Sequence, residues 1–503
     1  MLKDSLNLLI EYAKLNLGLE FLDVIYVKNT LMKMFNLDEE CENTSKIDVS
    51  SFNRPDKLIE ILTDDLINEG IASEDNVHLL IDEIFGVLSL TPNEFYYSFK
   101  KIEENEGKVK ALDYFYQYQI KNNYIQKTAI EKNILWSSDE FEYPIELSIN
   151  LSKPEKKNSD IAKLKTVKST SYPKCLLCKE NIGFYGDTKR APRRTIRYIP
   201  LLLDNCPWYL QYSPYGYYNK HAICFSDKHE DMVINKSTFI KLLEFVRIYP
   251  SFFMGSNADL PIVGGSILNH EHFQGGDHEL PIFKSTDRKV VNSSKYRTLK
   301  ISLLNWYNST IRIVGEDINE IASYAEELLN VYKTFNREDI SLISQTDGIS
   351  HSTITPIARK ENNQYALYLI LRNNLTTSTH PEGVFHAHRE YHHIKSEGIG
   401  LIEAMGLFIL PPRLIRELKE VKDILTSNAT IDAFNLEKFN LGYQNMIKEL
   451  IENHGNNLSE VEAEKVIKHY INNVCRNILI NTAVFKNDEN GRKYFDELMD
   501  LVG

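Results

Sequence analysis

Six cysteines are scattered over 503 residues, too few to staple the chain into a disulfide scaffold. No uninterrupted apolar run is long enough to cross a bilayer. The opening Met1-Leu-Lys-Asp-Ser-Leu-Asn has no apolar stretch and no small-residue cleavage site, so it reads as the start of an amphipathic helix, not a signal peptide. These absences set the expectation of a reduced, cytoplasmic chain with no membrane partner. An excess of positive charge is missing too. The 58 Lys and Arg against 70 Asp and Glu give a net charge of -12, which argues against a general nucleic-acid binder with its basic face. A small anionic substrate is still allowed, because it needs only a local positive site.

What is present is an ordinary globular composition, 43% hydrophobic and 25% charged, with length for two to four domains by the usual size prior. Residues 1 to about 140 read as helical. Thr91-Pro92-Asn93-Glu94 has the capping threonine, first-turn proline and third-position glutamate of a helix start. Val77, Leu80, Ile81, Ile84 and Phe85 follow the spacing of a buried helix face. No chemical constellation occurs there, which predicts a packing or oligomerisation role. Near residue 141 the pattern changes. Ile145, Leu147, Ile149 and Leu151 alternate as in a half-buried strand, and 153–171 is polar, as a linker or surface loop. Strands are predicted at Tyr198–Leu203, Tyr209–Ser213 and His221–Ser226. A helix then carries the stripe Phe239, Leu242, Leu243 and Val246, with Ser237 as its cap and Pro250 as its stop. A strand bearing His270 follows. A similar order recurs: a strand at Ser309–Ile313, a helix from Glu316 to about Lys333, and strands at Thr353–Ala358 and Tyr365–Leu371. From Leu414 the pattern is helical again. The fold class expected is α+β, with two related halves at 141–295 and 296–413, antiparallel sheets and packed helices. A helical N-terminal region, 1–140, and a helical tail, 414–503, flank them.

The segment richest in chemistry is His270-Glu-His272-Phe-Gln274-Gly-Gly. In an extended strand His270, His272 and Gln274 share one face. A neutral imidazole is a competent nucleophile near pH 7, and an amide donates to phosphate oxygen without carrying an acidic proton. Gly264, Gly265, Gly275 and Gly276 bracket the strand and allow close backbone approach to a phosphate, and Ser266 adds a hydroxyl. Cys175-x-x-Cys178 admits three readings, the blandest being two unconnected thiols. Otherwise it is half of a tetrahedral metal site, with His221, His229 and His270 as further candidates, or a redox pair, which would normally open a helix. His380, His386, His388, His392 and His393 form a dense cluster without diagnostic ligand spacing. Arg190, Arg193, Arg194 and Arg197 suit bidentate phosphate recognition or form a solvated loop.

Taken in order, these segments resemble the galactose-1-phosphate uridylyltransferases of the histidine-triad superfamily. Cys175-Leu-Leu-Cys178-Lys-Glu-Asn-Ile-Gly is similar to that family's zinc segment. His221-Ala-Ile-Cys-Phe-Ser-Asp-Lys-His229 is similar to one that ends in a metal ligand. Asn269-His270-Glu-His272-Phe-Gln274 is similar to its active-site strand, and Phe385-His-Ala-His388 to a pair in its second half. The helical start, Leu151-Ser-Lys-Pro-Glu and Leu401-Ile-Glu-Ala-Met-Gly-Leu-Phe-Ile-Leu-Pro-Pro-Arg413 resemble the type 2 branch. The resemblance implies exchange of UMP between UDP-glucose and galactose 1-phosphate through a covalent uridylyl-histidine. It implies His272 as nucleophile and Gln274 as the hydrogen-bond partner of the transferred group. Cys175, Cys178, His229 and His270 correspond to ligands of a structural zinc, and no organic cofactor is implied. Asp204, Asn205, Asn257, Ser266 and Arg193 fall to the nucleotide and its phosphates, and Glu403 to the sugar hydroxyls. A homodimer is the family norm. The sequence departs from the better-known branch at Glu271 and Phe273, both expected on the face opposite the nucleophile. A dinucleoside polyphosphate phosphorylase or hydrolase of the same superfamily, and a non-catalytic sugar-nucleotide sensor, are the rival readings.

Overall fold

The computed structural model of the chain describes residues 2–39, 47–151, 172–187, 190–429 and 433–502. The polar stretch 153–171, and with it most of the Leu151-Ser-Lys-Pro-Glu motif, lies outside them. Among the described residues the chain opens with helices α1 (Leu2–Asn16), α2 (Phe21–Met34), α3 (Asp56–Asn68), α4 (Val77–Leu88), α5 (Pro92–Glu106), α6 (Lys108–Lys121) and α7 (Lys127–Ile130). Then come β1 (Ile134–Ser137), β2 (Glu146–Ile149), β3 (Ile199–Leu203), β4 (Cys206–Tyr212), β5 (Ala222–Ser226), α8 (Lys236–Ile248), β6 (Phe253–Ser256) and β7 (His272–Gly276). The order continues with β8 (Asp287–Val291), β9 (Lys300–Leu304), β10 (Thr310–Gly315), α9 (Ile318–Tyr332), β11 (Gln345–Thr346), β12 (Ile349–Ser350), β13 (Ser352–Glu361) and β14 (Gln364–Asn373). It closes with α10 (Leu401–Ala404), β15 (Leu407–Leu410), α11 (Arg413–Leu425), α12 (Leu441–His454), α13 (Glu460–Thr482) and α14 (Glu489–Asp500). The class is α+β, as the sequence pattern predicts.

The chain divides into two compact units. The first comprises Met1–Lys132, Lys156–Leu202 and Cys206–His229. Its helices form because each buries one apolar stripe, as α4 does with Ile81, Ile84, Phe85 and Leu88. The Thr91 capping box starts α5: Thr91 Oγ1 accepts from Glu94 N at 3.4 Å and Glu94 Oε2 from Thr91 N at 2.8 Å. Phe95 of α5 meets Phe115 of α6 with ring centroids 5.3 Å apart, and Phe115 meets Tyr212 of β4 at 4.8 Å. Tyr212 also donates to Leu112 O at 3.0 Å. The helical start thus packs onto the antiparallel pair β4–β5.

Polar groups from those helices also grip the chain at 194–197. Asp82 accepts from Arg194 N at 3.0 Å, and Gln119 accepts from Arg197 N at 3.0 Å. Asn122 Nδ2 donates to Thr195 O at 2.7 Å. Buried backbone needs such partners where no ladder supplies them. The helical region therefore has a definite task, which is to hold the segment that follows Cys175 and Cys178.

The second unit comprises Asn133–Glu155, Leu203–Asn205 and Glu230–Gly503. Its main sheet runs β7-β6-β13-β14-β10-β9-β8, with antiparallel neighbours throughout. Helices α8 and α9 pack on each other and on β13. A second sheet, β1-β2-β15, has β15 parallel to β2.

Two local expectations fail. Asn235, not Ser237, caps α8: its Oδ1 accepts from Thr238 N at 3.2 Å, while Ser237 donates to Asp204. The strand expected to carry His270 begins only at His272, and His270 sits in a bend before it.

Candidate functional site

In the first unit, Cys175 and Cys178 are brought together with His229. The two Sγ atoms are 3.6 Å apart, and Cys178 Sγ is 3.3 Å from His229 Nδ1. A disulfide would need about 2.05 Å. An edge of a zinc tetrahedron with sulfur ligands at about 2.3 Å would be about 3.8 Å, close to what is found. Leu177 N donates to Cys175 Sγ at 3.4 Å, and Asn181 Nδ2 donates to both Cys175 O and Cys178 O at 2.8 Å. A 3₁₀ turn, Lys179–Asn181, follows the cysteines where a redox pair would open an α-helix. Burial pushes the Cys175 thiol up to about 11, and the Cys178 thiol adds to this. Such a pair becomes a thiolate pair only against a cation. His229 follows β5 on a turn fixed by Asp227, which accepts from Lys179 at 2.6 Å and Tyr209 at 2.9 Å. The donor set fits a metal ion, and zinc in particular suits sulfur with imidazole. His221, the other candidate in this unit, is buried and stacked on Tyr217 with ring centroids 4.9 Å apart.

In the second unit, β7 carries His272 and Gln274. His272 Nδ1 lies 2.8 Å from His270 O. A carbonyl only accepts, so Nδ1 holds the proton and Nε2 keeps its lone pair. Burial pulls the imidazole down to about 4, which keeps it neutral and nucleophilic. Glu271 turns away to α8, where Lys241 Nζ reaches both its oxygens at 3.0 Å. Phe273 is fully buried. Both departures from the better-known motif therefore serve packing. Gln274 stands opposite Gly255 of β6, where a Cβ would lie 2.9 Å from the Leu401 side chain and 3.0 Å from Ile357. A Cβ at Gly275 would lie 2.1 Å from Phe253 O, so only glycine lets β6 and β7 approach there.

Asn257, just beyond β6, ties this strand pair to α10: its Oδ1 accepts from Leu401 N at 2.8 Å. Glycines flank its amide, since a Cβ at Gly265 would lie 2.7 Å from Asn257 Nδ2 and one at Gly400 3.0 Å from Oδ1. Ser266 is exposed on the same loop as Gly265. Helix α10 carries Glu403, which accepts from Lys395 Nζ at 3.1 Å. Lys395 and Arg372 were not anticipated from sequence. Arg372 is fully buried, its Nη2 donates to Ile399 O at 2.7 Å, and its Nε and Nη1 have no hydrogen-bond partner among the described residues. Burial lowers this guanidinium to about 10, and the Glu403 carboxylate opposes the fall. The partly buried Glu403 carboxylate thus stands between a buried lysine and a buried arginine, and Lys395 Nζ also lies 3.8 Å from Glu397 Oε2. No pattern of spacing marks Lys395 or Arg372, because each comes from a different segment.

Other sequence candidates make structural contacts as well. Asp204 and Asn205, with φ of 48° and 57°, make the two-residue turn between β3 and β4. Asp204 N donates to Glu244 at 2.5 Å. Arg193 lies over the Tyr124 ring at 5.7 Å. Arg190 is spent on Asp187, and Arg197 donates to Leu90 O at 2.9 Å. The later histidines mostly bond backbone: Ile399 N donates to His386 Nε2 at 3.2 Å, and His388 Nε2 and His392 Nε2 donate to Val384 O at 3.1 Å and Ala387 O at 3.0 Å.

The fold is α+β, and sequence comparison gives the class of the protein, a nucleotidyltransferase. The family model described as galactose-1-phosphate uridyl transferase, N-terminal domain, matches residues 72–231, and that for the C-terminal domain matches 244–440. A Clostridium acetobutylicum protein named galactose-1-phosphate uridylyltransferase is 39% identical over 100% of both chains. The protein of that name from Caldanaerobacter subterraneus is 39% identical over 96% of this chain and 95% of its own. The Bacillus subtilis one is 36% identical over 99% and 98%. A solved DUF4931 family protein from Bacillus cereus covers 31% of this chain and 77% of its own at 15% identity, with a TM-score of 0.23, too slight a likeness to carry an argument. The chain belongs to the galactose-1-phosphate uridylyltransferase family.

Proposed function

We propose that the protein moves UMP from UDP-glucose to galactose 1-phosphate by double displacement. His272 Nε2 attacks the α-phosphorus, and the bond to the β-phosphate oxygen breaks, releasing glucose 1-phosphate. A phosphate oxygen of galactose 1-phosphate then attacks the same phosphorus, giving UDP-galactose and freeing His272. The observation that carries this reading is the Nδ1 contact of His272 with His270 O at 2.8 Å, which leaves Nε2 as the nucleophile. The leaving phosphate needs little protonation, so an amide at Gln274 suffices beside it, donating to the oxygens as charge develops. Asn257, Ser266, Asp204, Asn205 and Arg193 are assigned to the nucleotide side, and Glu403 to the hexose hydroxyls.

Zinc is assigned to Cys175, Cys178 and His229, with His270 as fourth ligand, where it supplies rigidity and no chemistry. His270 then has two tasks: its ring binds metal while its carbonyl orients His272. We assign a cytoplasmic homodimer acting on free sugar phosphates, and light scattering in solution checks the dimer. No helix among the described residues is long and apolar enough to cross a membrane.

The test is product analysis. UDP-glucose with galactose 1-phosphate is expected to yield UDP-galactose and glucose 1-phosphate, with parallel initial-rate lines. Turnover of dinucleoside polyphosphates without galactose 1-phosphate-dependent product would overturn the assignment.

A further inference from the structure

A cavity of about 300 Å³ lies in the second unit, and its lining contains neither His272 nor Gln274. Its walls carry Arg288, Arg476 and Arg492 together with Phe141, Trp306 and Tyr307. A volume near 300 Å³ is at the lower end of what holds a small organic molecule.

The cations there are only partly compensated by acids. Arg476 lies over the Phe141 ring at 4.7 Å, and its buried Nε has no hydrogen-bond partner among the described residues. Arg288 has a long contact with Asp496, 3.4 Å, and Arg492 Nε bonds a neutral amide, Asn487 Oδ1, at 2.8 Å. Lys486 also lines the cavity, with Nζ on Ile480 O at 2.8 Å and Asn481 O at 2.9 Å. Two acids line it as well, Glu140 and Glu142. Glu140 already takes Asn472 Nδ2 at 2.8 Å and stands 3.1 Å from His469. The lining itself holds four cations and two carboxylates, one of these engaged elsewhere, while Asp496 beside Arg288, shared with Lys289, and Asp488 near Lys486 add partial compensation. The backbone is built tightly around this arrangement. A Cβ at Gly491 would lie 2.0 Å from Lys486 O, and Asp488 caps α14 through Gly491 N at 2.7 Å, which sets the position of Arg492. The aromatic wall is fixed too. Tyr307 donates to Tyr143 O at 2.6 Å, and Trp306 Nε1 and Asn308 Nδ2 both donate to Ala404 O, at 3.2 Å and 2.9 Å. That carbonyl belongs to the residue after Glu403.

We propose that this cavity is a second ligand site, distinct from the transfer site, which takes a small organic monophosphate. The arginines bind the phosphate dianion through their fork geometry, and the ring of the ligand lies against Trp306 and Tyr307. A sugar phosphate and a mononucleotide share this chemistry.

Calorimetric titration of the full chain separates the sources, using inorganic phosphate, glucose 6-phosphate and adenosine monophosphate, none of which is a substrate of the proposed transfer. One organic phosphate is expected to bind saturably, at least tenfold more tightly than inorganic phosphate. Arg476→Gln/Arg492→Gln should weaken it at least tenfold, with UMP transfer in the absence of probe unchanged. If the double variant melts lower, Arg492→Gln alone, at an exposed position, decides the matter. His272→Ala should bind the probe normally, so the result is independent of the transfer reading. Binding no tighter than inorganic phosphate, or affinity unmoved by the arginine substitutions, overturns the proposal.

Discussion

His272 depends on its neighbours at the level of single atoms. His270 O selects its tautomer, and Glu271, between them, is anchored to Lys241 on α8. Removing one partner of a buried ion pair strands the other charge. Lys241→Met should therefore cost about 3–5 kcal/mol of stability, and Lys241→Met/Glu271→Gln should recover part of it, as measured by urea unfolding. Gln274→Ala should lower kcat about 100-fold, the usual loss for one donor to developing charge, with little change in the KM for UDP-glucose. A matching rise in KM would instead assign Gln274 to ground-state binding. The alternation of His272 and Gln274 was legible in the sequence, as were the two cysteines. Lys241, Lys395 and Arg372 were not, because their partners Glu271 and Glu403 come from other segments and no period connects them. Asp204 shows the opposite limit. A residue assigned by resemblance to a ligand also carries a turn with φ of 48°.

Elements with strong local signals formed where the pattern put them. The Thr91 box and the Ile81, Ile84 and Phe85 stripe mark α5 and α4 directly, and β13 and β14 extend the expected strands at both ends. Strands β6, β8, β9 and β15, four or five residues each, lie outside the segments the pattern marks as strands. Strand β15 is further hidden by pairing with β2, more than two hundred residues earlier. The missing side chain at Gly275 makes the β6–β7 pairing possible. Gly275→Ala should destabilise by about 1–3 kcal/mol, as overpacking does, and slow transfer by displacing the strand that carries His272. Thermal unfolding checks the first effect and initial rates the second. An unchanged midpoint would mean that the strands part without cost.

For the whole molecule, buried neutral histidines set an acid limit. Burial holds His386 and His393 at about 4, against about 6.5 in an unfolded chain. Between these values the unfolded chain binds protons that the folded one refuses, so stability falls as pH falls from about 6.5 to about 4. The slope is at most about 1.4 kcal/mol per pH unit for each imidazole. His393→Gln should flatten the slope of unfolding free energy against pH in that window. Metal content is the second whole-chain property. Elemental analysis should find about one zinc per chain, as a four-ligand structural site requires. Cys178→Ser should lose it together with thermal stability. Nothing in the sequence pattern discloses why a long helical region precedes the chemistry. The contacts of Asp82, Gln119 and Asn122 with residues 194–197 answer that question.

The central claim is a covalent uridylyl-histidine at residue 272, and intact mass tests it most directly. After incubation with UDP-glucose alone, the wild-type chain should gain the mass of one uridylyl group and release an equivalent of glucose 1-phosphate. Adding galactose 1-phosphate should discharge the adduct. His272→Ala should gain nothing. An adduct that persists in His272→Ala, or a wild-type chain that turns over substrate without ever gaining mass, would contradict the account.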